Sequence, residues 1–296
     1  MEIFKKIGTW TLRILGALLF ILLMAYGIIY YKTKQRLNKV YQVNIPNQQI
    51  PTDSASLASG KHILDTRGCV DCHGPDLGGK VFLDDPALGF IAGPNLTGGK
   101  GGLGRSLTAH DWIRGIKHGV DKAGKTLLIM PSHEFFHLTN KDLTYLVGYL
   151  QTLPPVDREL PKSTLGPMLR ILYQVGKFPN LAPAELIKDH NAPVSFAQQT
   201  GVSKEKGKYL AVNCQGCHGD NFKGRDLGIP GIKPSVDITA TGNPGKWTEA
   251  EFMTTLRTGR TPEGKQLNQK DMPWNVTAQF TDEELKSVYA YLLSFQ

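Results

Sequence analysis

Cysteine is scarce in this sequence, with only four in 296 residues. That number excludes the small secreted domains held together by many disulfides, in which cysteine exceeds roughly 8 % of residues. A basic folded surface is also lacking. The net charge is +8, but residues 1–59 alone hold seven Lys/Arg against two Asp/Glu, a net charge of +5. Since nucleic-acid binding requires a basic face on a folded domain, we expect no nucleic-acid partner.

The four cysteines belong to two copies of one short pattern. Residues 69–73 read Cys-Val-Asp-Cys-His, and residues 214–218 read Cys-Gln-Gly-Cys-His. This pattern attaches c-type haem, because the two thiols form thioether bonds with the porphyrin vinyl groups and the histidine binds the iron. A redox dithiol or a zinc site would leave both histidines without a role. The sequence therefore predicts two covalently bound haem c groups, attached at Cys69, Cys72, Cys214 and Cys217, with His73 and His218 as axial ligands.

The two patterns are part of a longer internal repeat. Cys69 matches Cys214 at an offset of 145 residues, and Met130 matches Met272 at an offset of 142. A small drift of the offset is expected when loops change length after a duplication. We therefore predict two domains with the same fold, at residues 60–153 and 202–296.

Each repeat contains three segments whose apolar residues have helical spacing, with no strand pattern between them. A short helix leads into the haem pattern, a middle helix follows a glycine-rich loop, and a last helix closes the domain. Threonine precedes each middle and last helix, with an acidic residue three positions later, as in a capping box. The expected fold is all-α, with helices that begin near Ser59, Thr108 and Thr139 and, in the second copy, near Lys204, Thr248 and Thr281.

The iron needs a ligand on its other face, and methionine is the best candidate in both repeats. Met130 and Met272 are each followed by proline, and each precedes the last helix of its domain. A thioether ligand favours reduced iron and raises the reduction potential. His133, three residues after Met130, is the alternative ligand in the first domain, and an isolated methionine is more often a core residue. We predict His/Met ligation of both irons.

The N-terminal segment contains the longest apolar run. Residues 14–31 carry no charge, and a helix of that length spans about 27 Å, close to the thickness of a bilayer core. A cleaved signal peptide is the alternative, but its apolar core is usually shorter and ends at a small-residue site. We therefore predict a membrane anchor in residues 1–31, in contact with lipid, followed by a polar tether at 32–59.

Residues 154–201 have no counterpart in the repeat. Seven prolines divide this linker into short pieces, and residues 168–175 have the apolar spacing of one short helix. We expect the helix to pack between the two domains. A docking face for a partner subunit and contact with the membrane surface are the alternatives.

Taken together, these motifs resemble those of class I cytochrome c. The resemblance rests on Gly-Cys-Val-Asp-Cys-His-Gly, on Gly-Pro-Asn-Leu-Thr at 93–97 and on the two Met-Pro pairs, and it covers roughly residues 60–153 and 202–296. Two such domains behind an anchor are similar to membrane-bound dihaem c-type cytochromes, including cytochrome subunits that accept electrons from periplasmic dehydrogenases. The resemblance implies that a proline carbonyl orients each axial histidine. The matching residues are Pro94 and, displaced by two positions, Pro234.

The resemblance also implies a location and a function. Covalent haem attachment in this family takes place outside the cytoplasm, so we expect a single-pass protein of the bacterial cytoplasmic membrane with periplasmic haem domains. The positive residues flanking the span slightly favour the opposite orientation. Six-coordinate irons leave no site for a substrate, so we expect an electron carrier rather than an enzyme.

The expected partners are redox proteins. A periplasmic or quinol-side donor would supply single electrons, and an oxidase, a reaction centre or a soluble cytochrome would accept them. One alternative is a cytochrome subunit of a larger dehydrogenase or respiratory complex, which carries electrons in the same way. Another is an enzyme of the dihaem peroxidase type, which requires one iron that opens to peroxide.

Overall fold

The computed structural model describes residues 2–194, 196, 200–226 and 233–296. They form a long N-terminal helix, two helical domains of the same architecture, and a linker that folds against the first domain. The helices are α1 (Glu2–Leu37), α2 (Ser54–Thr66), α3 (Cys69–His73), α4 (Ala109–His118), α5 (Ser132–Phe135), α6 (Asn140–Gln151), α7 (Pro167–Gln174), α8 (Lys204–His218), α9 (Glu249–Thr258), α10 (Trp274–Thr277) and α11 (Asp282–Leu292). The strands are β1 (Lys80–Asp85), β2 (Gly89–Gly93) and β3 (Thr164–Leu165), and single 3₁₀ turns lie at Pro179–Leu181, Pro183–Leu186 and Pro244–Lys246.

The N-terminal helix α1 is longer than the predicted anchor. It has 36 residues, and its most apolar window has a mean hydropathy of 2.4, so it is long and apolar enough to cross a membrane. It continues past residue 31 because no glycine or proline interrupts residues 28–45. Thr33 is fully buried, and its hydroxyl accepts a hydrogen bond from Gln174 of α7 at 3.0 Å. The predicted tether at 32–59 therefore contains the end of α1 and the beginning of α2.

Each domain is built on one packed pair of helices, α2 with α6 and α8 with α11. A glycine allows the close approach in both pairs. A β-carbon at Gly60 would clash with the carbonyl group of Tyr145, and one at Gly207 would clash with that of Ser287. The two cores contain equivalent apolar residues, among them Leu64, Trp112, Leu143 and Leu146 in the first and Leu210, Phe252, Leu285 and Val288 in the second.

The predicted starts of the middle and last helices and of α8 agree with the caps that the structure shows, but α2 begins at Ser54, before the predicted Ser59, because Asp53 caps it. Full capping boxes precede three helices, at Thr108, Thr248 and Thr281. Thr139 caps α6 by accepting a hydrogen bond from the N–H of Asp142, but the return bond is missing. The carboxylate of Asp142 instead accepts a hydrogen bond from the hydroxyl of Tyr209 in the second domain. A capping residue has thus become part of the contact between the domains.

The described residues are mostly helical, as predicted, but the all-α expectation missed one small sheet. Strands β1 and β2 form an antiparallel hairpin directly after the first haem motif, and β3 from the linker adds to the free edge of β2. Gly89 makes the pairing possible, since its φ is +106° and its α-carbon lies against the backbone of residues 164–166. The hairpin was missed because its apolar residues are consecutive, at 81–83 and 90–92, without the alternation that indicates a half-buried strand.

The linker helix α7 lies where the sequence predicted a helix, but its packing differs from the expectation. Instead of lying between the domains, α7 packs against the end of α1 and against the hairpin of the first domain. Leu169 and Tyr173 of α7 are buried there together with Ile91 of β2 and Leu181. The apolar face of α7 therefore completes a third core, which joins the linker, the first domain and the N-terminal helix.

We expect Gly207→Ala to lower the free energy of unfolding by about 1–3 kcal/mol, because the added methyl group would force α8 away from α11. Gly115→Ala is the matched control, since Gly115 also lies inside a helix but the atom nearest to an added β-carbon is 3.7 Å away. Alanine there should be neutral or stabilising by up to about 1 kcal/mol. Denaturant unfolding followed by circular dichroism measures both, and equal stabilities would contradict the tight packing.

Candidate haem sites

Each haem-binding motif is a helical turn that ends in a buried histidine. The first motif is helix α3, and the second is the last turn of α8. Helical residues three positions apart lie on the same face, so the two thiols of each motif point to one side. The side chains of His73 and His218 are 7 % and 6 % exposed. The structure therefore gathers each predicted set of two cysteines and one histidine within its own domain.

The orientation of the first histidine agrees with the prediction for Pro94. Nδ1 of His73 lies 2.9 Å from the carbonyl oxygen of Pro94. Because a carbonyl accepts, Nδ1 carries the proton and Nε2 presents its lone pair, as an iron ligand requires. Burial lowers the pKa of His73 more than this hydrogen bond raises it. The ring is therefore neutral at physiological pH and ready to bind a metal ion.

The prediction for Pro234 is wrong. Nδ1 of His218 donates to the carbonyl oxygen of Val236, at 2.8 Å. Val236 occupies the structural position of Pro94, because the residues that follow each of them form the same local hydrogen bonds. The side-chain oxygen of Asn95 accepts from the N–H and the hydroxyl of Thr97. In the second domain, Asp237 accepts in the same way from Thr239. The Asn-Leu-Thr and Asp-Ile-Thr sequences were the signal that gives this alignment. Any residue can offer a main-chain carbonyl as the acceptor, so the search for a proline selected the wrong residue.

The thiols do not fit the alternative readings of the four cysteines. All four are free, so neither motif forms a disulfide. Burial raises the pKa of Cys69 to about 12 and that of Cys214 to about 12, whereas reactive dithiols have a lowered thiol pKa. Among the described residues, no three histidine, cysteine or acidic side chains are grouped as a metal site. The raised thiol pKa values therefore disfavour a redox dithiol.

The two methionines occupy equivalent half-buried positions. Each lies directly before a proline and a one-turn helix, α5 after Met130 and α10 after Met272. The same backbone bond follows both, since the N–H two residues on donates to the methionine carbonyl at 2.7 Å in the first domain and 2.8 Å in the second. His133 lies instead beside a carboxylate, with Nε2 3.8 Å from Oε1 of Glu134. The structure thus keeps the symmetry that the methionine prediction requires.

One buried donor in the first domain fits an anionic group of the cofactor. Trp112 is 4 % exposed, and its indole N–H has no hydrogen-bond partner among the described residues. A buried donor normally has an acceptor, and a haem propionate would supply one. Phe252 takes the equivalent place in the second domain and has no donor. The two sites therefore differ in polarity on this side.

The two haem motifs lie next to each other across the contact between the domains. Arg67, just before the first motif, donates to the side-chain oxygen of Asn213, just before the second. Asn213 in turn donates to the carbonyl oxygen of Thr66 at 2.9 Å, and the guanidinium of Arg67 lies over the ring of Tyr209 at 5.1 Å. These contacts hold the beginnings of the two motifs side by side.

The contact is also reciprocal. The first motif meets the segment that follows Met272, where Asn275 donates to Asp71 at 3.4 Å and Val276 packs on Gly68. The second motif meets the segment that follows Met130, where the carboxylate of Glu134 lies so close to Gly216 that any β-carbon there would clash. The contact is therefore approximately two-fold symmetric: the haem motif of each domain meets the segment that follows the methionine of the other.

This exchange places a carboxyl group against the second motif and an apolar side chain against the first. Burial raises the pKa of Glu134 to about 7, although Arg67 and Arg225 oppose the rise. Arg225 also donates to the carbonyl oxygen of Gly216. Across the contact, the second motif therefore meets the carboxyl group of Glu134, whereas the first meets the aliphatic side chain of Val276 and the amide of Asn275.

Comparison with known proteins gives a consistent result. The family model described as Cytochrome c matches residues 57–154 and 204–296. The cytochrome c subunit of a quinone alcohol dehydrogenase from Gluconacetobacter polyoxogenes is 24 % identical over 273 residues, which cover 82 % of this chain and 56 % of that protein. A protein named "Diheme cytochrome c-type" from Cereibacter sphaeroides is 26 % identical over 270 residues, covering 79 % of this chain and 83 % of that protein.

A third relative matches a shorter region. The fructose dehydrogenase cytochrome subunit of Gluconobacter japonicus is 32 % identical over 103 residues, which cover 31 % of this chain and 21 % of that protein. The chain spans about half the length of the alcohol dehydrogenase subunits that it matches.

The ion pair between His62 and Glu284 predicts a pH dependence of stability. The ring Nε2 lies 2.9 Å from Oε2, and the hydrogen bond to Glu284 raises the pKa of His62 more than burial lowers it. This stabilisation is present below the unfolded pKa of about 6.5 and is lost as the pH rises through the higher folded value. We expect the thermal midpoint of the full chain to fall between about pH 6 and pH 9, with a smaller fall in His62→Gln.

His110→Gln is the control for this measurement, because the ring of His110 contacts Arg114 of its own helix. Its pH profile should follow that of the unchanged protein. A His62→Gln profile with the full pH-dependent fall would show that the pair does not stabilise the contact between the domains.

Proposed function

Because the chain belongs to the cytochrome c family through both of its repeats, we propose that it carries single electrons through two haem sites in series. It binds two covalent haem c groups, through the cysteines at 69 and 72 and at 214 and 217. Bound haem supplies one-electron redox chemistry. The residues of the chain supply the attachment, the axial ligands, the exclusion of water and the spacing between the two sites.

The proposed axial pairs are His73 with Met130 and His218 with Met272. They are supported by the neutral, oriented imidazoles and by the equivalent placement of the two methionines. With both axial positions filled, an iron has no place for a substrate, so the protein carries electrons and does not catalyse a reaction. The peroxidase alternative would need one methionine to leave its iron, and no feature of the described residues favours that.

The single observation that best supports transfer between the two sites is the reciprocal contact of the motifs. Arg67 and Asn213 lie just before the two cysteine pairs in the sequence, and they are hydrogen-bonded to each other. Each haem would therefore be attached by its thioether bonds close to this contact. Hydrogen bonds and packed side chains hold the two motifs in fixed positions relative to each other. An electron entering either domain therefore has a short route to the other.

We further propose that α1 anchors the protein in the bacterial cytoplasmic membrane, with the haem domains on the periplasmic side. Its length, its exposed apolar surface and its firm packing against the linker support an uncleaved anchor. Its polar end carries Lys32 and Lys34, whose long side chains can extend to the headgroups. The partners are redox proteins that work at this membrane.

A second candidate role is that of a cytochrome subunit in a dehydrogenase complex. It is favoured by the dehydrogenase cytochrome subunits among the relatives. Purification in mild detergent separates this role from a free carrier: a subunit brings a dehydrogenase polypeptide with it in constant ratio, and a free carrier elutes alone.

The proposed ligands predict the spectra of two alanine variants. Met130→Ala and Met272→Ala should each remove about half of the methionine–iron charge-transfer absorption of the oxidised protein and lower the potential of one haem. Met168→Ala is the control, because Met168 is 46 % exposed on the linker. Optical redox titration of the full chain in detergent measures both effects. Full absorption in Met130→Ala would exclude Met130 and favour a nearby histidine.

A further inference from the structure

The loops that carry Met130 and Met272 differ in the parts of the protein that cover them. In the first domain, residues 126–130 lie under the linker, where the N–H of Ile129 donates to Leu181 at 3.1 Å and that of Ala184 donates to the hydroxyl of Thr126 at 3.4 Å. In the second domain, residues 268–270 are exposed. Ile129 also has a positive φ of 61°, a conformation that a β-branched residue rarely adopts unless its surroundings impose it. The linker therefore shapes the first loop.

The part of the linker that covers this loop is itself rigidly held. Leu181, Ala182 and Ala184 have no exposed surface. The next residue, Glu185, receives two hydrogen bonds from the guanidinium of Arg36, at 3.1 Å to Oε1 and 2.6 Å to Oε2.

A tyrosine also contacts the ion pair between Arg36 and Glu185. The hydroxyl of Tyr173 in α7 donates to Oε2 of Glu185 at 2.7 Å, and the guanidinium of Arg36 lies over its ring at 3.8 Å. Burial opposes ionisation of Glu185, but the bonds from Arg36 and Tyr173 outweigh it, so the pKa lies below its usual value. A bidentate, partly buried pair of this kind is strong and directional.

Arg36 belongs to the last turn of α1. Close to it, Leu37 joins the apolar cluster that also contains Leu128 and Ile129, next to Met130. One continuous set of contacts therefore runs from the N-terminal helix, through Glu185, to the loop that carries the first methionine. The second domain has no equivalent among its described residues, because the linker has no copy in the repeat.

We propose that Glu185 is a positioning residue for Met130, which it holds toward the first haem by tying the methionine loop to the end of α1. The inference rests on the proposed ligation by Met130 and Met272. It makes the first methionine harder to displace than the second, since the linker fixes the first loop, whereas residues 268–270 of the second loop are exposed. Breaking the bond between Arg36 and Glu185 loosens only the first.

The test is an imidazole titration of the oxidised, haem-loaded full chain in detergent, because imidazole competes with methionine for the iron. Two phases are expected, and the Met130→Ala and Met272→Ala variants assign them to the two domains. In the unchanged protein, the second domain should bind imidazole at the lower concentration. Glu185→Gln should strengthen imidazole binding in the first domain about tenfold and leave the second domain unchanged.

Two further variants separate positioning from general damage. Arg36→Gln should act like Glu185→Gln, and the double variant should be no worse than either single change, because both break one interaction. Tyr173→Phe removes one hydrogen bond and keeps the ring, so it should shift the first phase in the same direction by less. Glu159→Gln is the matched control, since Glu159 lies in the same linker and forms an exposed pair with Lys100 of the first domain.

The outcomes are distinct. If Glu185→Gln and Arg36→Gln both leave the first-domain phase within about twofold of that of Glu159→Gln, the proposal is overturned. An equal change in both phases also overturns it, because the effect would then be global. If Met130→Ala keeps the full charge-transfer absorption, the proposed axial ligand fails instead, and that result is independent of Glu185.

Discussion

One hydrogen bond recurs in both domains, and the rest of each site depends on it: the axial imidazole donates from Nδ1 to a main-chain carbonyl oxygen. It fixes the tautomer, stops rotation of the ring and leaves Nε2 as the only free nitrogen. The acceptor must come from a backbone segment about twenty residues away, which obliges the chain after each motif to fold back across the histidine. The Asn95 and Asp237 turns serve this purpose in the two domains.

Duplication explains the plan of the molecule, and divergence explains its asymmetry. Equivalent parts meet across the domain contact, but a carboxyl group stands on one side and an aliphatic group on the other, at Glu134 and Val276. Within the described residues, which do not include 227–232, only the first domain has a hairpin, a covering linker and a buried indole, that of Trp112. Two sites with one set of ligand types thus have different surroundings, which is how a protein gives chemically similar haems different potentials.

Local patterns in the sequence were sufficient for the motifs, the repeat and most helix starts, because covalent attachment, capping and helical spacing each act over a few residues. Long-range contacts could not be read in the same way. Helix α1 extends because Thr33 and Arg36 find partners about 140 and 149 residues away. Pro234 was chosen by residue type, whereas the relevant group was a carbonyl that any residue offers. The addition of β3 to the hairpin joins residues more than 70 positions apart, which no short window contains.

The unbroken course of α1 into its contact with α7 has a mechanical consequence. A flexible tether would let the domains swing through a wide range of heights above the lipid. Here the last six residues of the helix, 32–37, add about 9 Å beyond residue 31 and end in a firm joint with the linker. If residues 14–31 fill the bilayer core, the first domain lies at the level of the lipid headgroups, held there by one continuous helix. Its redox partners must then reach it at that fixed level and angle.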